Sequence, residues 1–83
     1  MKLIYFAWLR TRIGLAEEWV EPPPSVRNVG DLLAWLPTRG PSYAHALADL
    51  EVVRVAVNQD YAAPDRVLAA GDEVALFPPV TGG

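Results

Sequence analysis

An 83-residue chain with a formal charge of −3 and no cysteine is one small domain, without a basic footprint for nucleic acid, a disulfide framework, a thiolate nucleophile or a cysteine-based metal site. Hydrophobic residues at 52% and charged residues at 20% suit a folded domain and exclude a disordered tail protein. The longest apolar run, Leu3 to Leu9, is too short to span a bilayer and has no small-residue cleavage site behind it, so a soluble, cytoplasmic protein with no membrane partner is expected.

The first predicted element is a strand over Lys2 to Arg10, rich in aromatic and aliphatic residues. Thr11 to Leu15, containing Gly14, reads as a turn, and Glu17 to Glu21 as a short charged strand stopped by Pro22-Pro23-Pro24, which together predict a hairpin. The period then changes. Val29, Leu32, Leu33 and Leu36 fall on one helical stripe, with Asn28 as N-cap and Asp31 in the first turn, and Pro37 ends or kinks the helix. A weaker helical pattern runs from Ser42 to Leu50 through Tyr43, Ala46 and Leu47. From Val52 the period returns to two, with Val53, Val55 and Val57 on one face; Asn58-Gln59-Asp60 turns the chain into a brief extended piece at Tyr61. Asp65 to Ala69 is an irregular or one-turn connection, and Ala70-Gly71-Asp72 leads into a last strand over Glu73 to Phe77.

This order predicts an α+β fold of β-grasp (ubiquitin-like) layout: a small mixed sheet of about five strands, one main helix, a second short helix, and parallel first and last strands. The domain is expected to span residues 1–77, with 78–83 as an extended C-terminal tail. In the last strand Val74 and Leu76 share one face, which turns Phe77 outward at the root of that tail. Ile4, Phe6 and Trp8 share parity with Lys2 and Arg10, so part of an aromatic face is expected beside it, and such a patch marks a protein partner.

Few side chains point to chemistry. His45 has only Asp49 at i+4 and is given no role, and Glu17, Glu18 and Glu21 read as an acidic edge that discourages strand pairing. Trp8, Trp19 and Trp35 admit a ligand cage, but packing is the better account for at least two of them. Arg10 and Arg12 read equally well as solubility charges and as partner contacts. The tail is different. Pro78 and Pro79 permit no regular ladder, Gly82 and Gly83 have no side chain to obstruct a narrow channel, and the last group is a carboxylate. A carboxylate presented this way can be adenylated and then converted by a sulfur nucleophile to a thiocarboxylate.

Tyr5-Phe6-Ala7 followed by Arg10, the helix start Val29-Gly30-Asp31-Leu32-Leu33, Val55-Ala56-Val57-Asn58-Gln59, Gly71-Asp72-Glu73-Val74-Ala75 and above all Phe77-Pro78-Pro79-Val80-Thr81-Gly82-Gly83 carry a resemblance. Over its whole length the chain resembles the small subunits of molybdopterin synthase, a family of ubiquitin-like sulfur carriers. The resemblance implies that an ATP-dependent, E1-like adenylating protein activates Gly83 and that a sulfurtransferase system supplies sulfur. The thiocarboxylated tail then enters the large synthase subunit, where it donates sulfur to cyclic pyranopterin monophosphate. It further implies a heterotetramer, no permanently bound cofactor or metal, and no catalytic side chain besides the Gly83 terminus. By position, Pro78, Pro79, Val80, Thr81 and Gly82 would thread into the partner, and Phe77, Arg10 and Tyr61 would lie at partner interfaces; Tyr61 stands where an aliphatic residue is expected. Supply of sulfur to thiamine, a tungsten cofactor or tRNA, conjugation to proteins, and a plain interaction module with an inert Gly-Gly end are the competing readings.

Overall fold

The computed structural model describes residues 1–79. Strands β1 (Lys2–Tyr5), β2 (Glu17–Trp19), β3 (Arg54–Val57), β4 (Asp60–Tyr61) and β5 (Glu73–Phe77) form one mixed sheet in the order β2-β1-β5-β3-β4. β1 and β5 are parallel at its centre, Lys2 beside Glu73 and Tyr5 beside Leu76, and the other pairings are antiparallel. Helices α1 (Ala7–Ile13), α2 (Val29–Trp35) and α3 (Pro41–Ala46) cover one face. Leu3, Tyr5, Val55, Val57, Val74 and Leu76 from the sheet pack there against Leu9, Ile13, Leu32, Leu36 and Leu47. This is the expected β-grasp, with one helix more than the sequence led us to expect.

The extra helix corrects the first strand. β1 stops at Tyr5, and Trp8, Leu9 and Arg10 belong to α1. Leu9 and Ile13, four apart, both enter the core, and Gly14 at φ 91° closes the helix by donating its N–H to the Arg10 carbonyl. β1 and β2 are antiparallel as expected, but a helix joins them rather than a hairpin turn.

The later elements follow the pattern. Asn28 caps α2 by accepting from the Asp31 N–H at 2.8 Å, and Asp31 reciprocates by accepting from the Arg27 N–H at 3.0 Å. The irregular 64–68 segment supplies carbonyls of Pro64 and Arg66 to the free N–H groups of Gly30 and Val29. After Trp35 the chain tightens into a 3-10 turn, Leu36–Arg39, which contains Pro37. None of the helices among the described residues is long and apolar enough to cross a membrane.

Candidate partner-binding face and tail root

With the helices on one side, the other face of the sheet has no layer over it among the described residues. Alternation along the strands places Ile4 on β1, Ala56 on β3, Ala75 and Phe77 on β5 and Tyr61 on β4 on this face, all outside the buried core. The register sets them side by side: Ile4 beside Ala75, Ala75 beside Ala56, Ala56 beside Tyr61, and Phe77 beside Arg54. Charged groups flank this apolar centre, with Lys2 and Glu73 at the end where β5 begins, Glu17 beside Ile4 on edge strand β2, and Arg54 at the end where the tail leaves.

Two local conformations shape the aromatic end. Phe6 is still extended, at φ −120° and ψ 156°, and its N–H donates to the Leu76 carbonyl at 3.1 Å, so it prolongs the β1 ladder and keeps the outward parity of Ile4. Ala7 then takes a left-handed φ of 53°, and this single residue turns the chain from strand into α1 and leaves the Phe6 ring 48% exposed. At the opposite edge Asn58 and Gln59 both have positive φ, 50° and 73°, the geometry of a two-residue hairpin loop between β3 and β4. That turn brings Tyr61, 78% exposed, over the Phe77 ring, with centroids 5.8 Å apart and planes inclined at 59°.

Of the residues singled out in the sequence, Phe77 and Tyr61 come together on this face. Arg10 does not share it as a strand residue; it is exposed on α1, one turn beyond Phe6, whose carbonyl accepts from its N–H. Pro78 and Pro79 follow Phe77 half-buried and outside regular structure. Val80, Thr81, Gly82 and Gly83 lie outside the described residues. The face also holds residues not named as contacts, among them Phe6, whose parity with Ile4 already marked it as outward, and Arg54, which the alternation with Val53 and Val55 turns outward. Trp8 and Trp35 pack against the core beneath the guanidinium groups of Arg12 and Arg39, at 4.6 and 5.4 Å, while Trp19 is 72% exposed on β2; the three do not form a cage.

A second polar cluster corrects the reading of Glu18 as a solvated edge charge. Its side chain is only 13% exposed and lies on the helix-covered side, where Oε2 accepts from the Tyr5 and Tyr43 hydroxyls, both at 2.7 Å, and Oε1 accepts from Arg39 Nη1 at 2.9 Å. Burial of Glu18 works against its charge, yet the three hydrogen bonds together hold the carboxyl below its ordinary range. Burial, and then the bond to Glu18, push the Tyr5 phenol well above its ordinary range; Tyr43 is raised for the same reasons. The cluster fastens edge strand β2 to β1 and α3. It faces away from the open face.

Among the described residues no group of three His, Asp or Glu side chains could hold a metal ion. What the site presents is an apolar, partly aromatic surface at the root of a glycine-ended tail. A family model described as the ThiS family matches residues 3–83. The chain belongs to the ThiS family. It is 38% identical to the Escherichia coli molybdopterin synthase sulfur carrier subunit, over all of this chain and 99% of that protein. The crystal structure of SAMP1 (small archaeal modifier protein 1) from Haloferax volcanii matches all of this chain and 98% of its own, with 33% identity and a TM-score of 0.72. A protein from Pyrococcus furiosus, provisionally named molybdopterin converting factor, subunit 1, matches 95% of both chains with 31% identity and a TM-score of 0.71. The β-grasp of this ThiS-family chain is therefore the fold of its solved relatives, and α1 is accommodated within it.

Proposed function

We propose that this ThiS-family chain is the sulfur-carrier subunit of a molybdopterin synthase. The observation that carries the reading is its identity, across the whole chain, to the E. coli sulfur carrier subunit. The open face supports it in physical terms, since a carrier with no catalytic side chain must dock firmly while its terminus reacts elsewhere, and an aromatic surface at the tail root is a suitable anchor.

In this reading the Gly83 carboxylate attacks the α-phosphate of ATP inside an E1-like adenylating protein and pyrophosphate leaves. Sulfur delivered by a sulfurtransferase then displaces AMP. The resulting thiocarboxylate enters the large subunit, behind Gly82, Thr81, Val80, Pro79 and Pro78, and donates its sulfur to cyclic pyranopterin monophosphate. Phe77, Tyr61, Phe6 and Arg10 contact the partners, and the chain acts in the cytoplasm. Intact mass spectrometry after incubation with the activating protein, ATP and a sulfur source tests it. The expected result is a mass gain of one oxygen exchanged for sulfur, abolished by deletion of Gly83; an unchanged mass, or a gain that survives the deletion, overturns it.

The likeness to SAMP1, a modifier by name, favours a second reading in which Gly83 is joined to amines of other proteins. Higher-mass conjugates that require Gly83 in place of the thiocarboxylate would establish that reading over the first.

A further inference from the structure

An activated C-terminus, as an acyl adenylate or a thioester, is an electrophile, and any nearby neutral amine can take the acyl group. The cations of this chain are distributed in a way that bears on that hazard. It has seven basic residues, of which six are arginine, at 10, 12, 27, 39, 54 and 66, and Lys2 is the single lysine. The one next to Phe77 in the sheet register is Arg54, and its Nη1 donates to the carbonyls of Glu51 and Val53, at 2.9 and 3.3 Å. Arg10 stands one helical turn beyond Phe6. A guanidinium stays protonated and has no lone pair to offer, whereas a lysine amine deprotonates readily when its surroundings favour it.

Lys2 lies elsewhere. Because β1 and β5 are parallel, Lys2 is beside Glu73, four residues before Phe77, so it is set back from the tail root by about 13 Å at ~3.3 Å per residue. Its Nζ is paired with Glu17, 3.5 Å from Oε2. The amino group of Met1, at the same end, donates to the Val20 carbonyl at 3.1 Å.

We propose that the chain is built as an acyl donor that is a poor acceptor of its own acyl group: the tail root carries positive charge as guanidinium, and the amines are held at the opposite end of the central strands. The proposal rests on the carrier reading, which supplies the activated terminus, and it identifies the acceptors excluded, namely amines of the chain itself. In the reaction avoided, an amine lone pair attacks the acyl carbon, the C–N bond forms, the bond to the leaving thiolate or AMP breaks, and the nitrogen releases a proton to solvent.

The test uses the full-length chain with a C-terminal thioester installed by intein chemistry, followed by intact mass and peptide mapping. The wild-type thioester is expected to hydrolyse without forming an internal amide or a covalent dimer. Arg54→Lys or Arg10→Lys, which keep the charge but place an amine near the tail root, should form such products at least about tenfold faster, as expected for a nucleophile held at high local concentration. A wild-type amide at Lys2, or neither variant reacting faster than wild type, overturns the proposal. Hydroxylamine added to the chain with ATP and the activating protein tests the carrier reading separately: a Gly83 hydroxamate is expected, and its absence overturns the carrier reading whatever the thioester shows.

Discussion

The rings of Tyr61 and Phe77 meet at a tilt of 59° on the open side of the sheet, with centroids 5.8 Å apart, although the two residues are sixteen positions apart in the chain. Tyr61 remains 78% exposed, so this contact leaves most of its ring available to a partner. Aromatic anchors at an interface commonly cost ≥ 2 kcal/mol on truncation, about 30-fold in affinity. If the proposed carrier reading holds, Phe77→Ala is expected to weaken binding to the large synthase subunit by at least that factor, measured by calorimetry. Tyr61→Ala should cost less, and Tyr61→Phe should bind like wild type. Binding of Phe77→Ala within threefold of wild type would remove this face from the interface.

How far this arrangement could be read beforehand depends on the range of the interactions. The alternation Val53, Val55, Val57 and the pair Val74, Leu76 fixed which face of β3 and β5 is buried, and so placed Phe77 outward. The helix after β1 was hidden because Ile4, Phe6 and Trp8 continue a period of two across the point where Ala7 reverses its φ. Only Leu9 and Ile13, with Gly14 behind them, carried the helical signal, and a seven-residue helix gives too few turns for it to prevail. The Glu18 cluster was not legible at all, since Tyr5 and Tyr43 lie 13 and 25 residues away and are joined only by the fold.

Among the described residues, Glu18 is a carboxylate that ties its strand to β1, α3 and the 3-10 turn through Tyr5, Tyr43 and Arg39. Glu18→Gln keeps the shape but gives up the negative charge that Arg39 and two phenols favour, and is expected to destabilise the fold by about 1–3 kcal/mol in urea titrations. The pH dependence follows from its lowered folded pKa. The carboxylate's contribution is complete above the ordinary value of 4.5 and is lost as pH falls through the folded value. The gap between wild type and Glu18→Gln should therefore close on acidification below 4.5. Tyr5 acts in the opposite range: its raised pKa gives stability that is present below the ordinary value of 10.0 and lost as pH rises through the folded value. A gap that is constant across the acid range would show that the charge of Glu18 does not matter.

The β3–β4 loop holds Tyr61 in place with a residue poorly suited to its backbone. Asn58 suits positive φ and is further held by its side chain, which donates to Asp72 Oδ1 and accepts from the Glu73 N–H, both at 3.0 Å. Gln59, at φ 73°, has no such support. Gln59→Gly completes the favoured Asn-Gly pair and should raise stability by about 1 kcal/mol without altering partner affinity. Asn58→Ala should lower stability by about 1–3 kcal/mol and weaken partner binding as well, because the edge carrying Tyr61 loosens. Thermal denaturation paired with calorimetric binding separates the two effects.

Ala7 presents the same conflict beside Phe6, a second exposed aromatic of the open face. A left-handed alanine costs about 1–2 kcal/mol relative to the right-handed region, and glycine avoids that cost while losing about 0.5–1 kcal/mol of chain entropy in a helix. Ala7→Gly is thus expected to stabilise the fold by about 0 to 1.5 kcal/mol. Ala7→Val adds a β-branched crowding term at the same φ and should destabilise by more than 1 kcal/mol. If the turn is what sets the Phe6 ring outward, Ala7→Val should also reduce partner affinity, while Phe6→Ala in that background should cost little more. Urea titration of the two Ala7 variants decides the first point, since a Gly variant less stable than wild type would mean that φ at this position is not left-handed in solution. A calorimetric double-mutant cycle between positions 6 and 7 decides the second: additive losses would show that Ala7 does not act through Phe6.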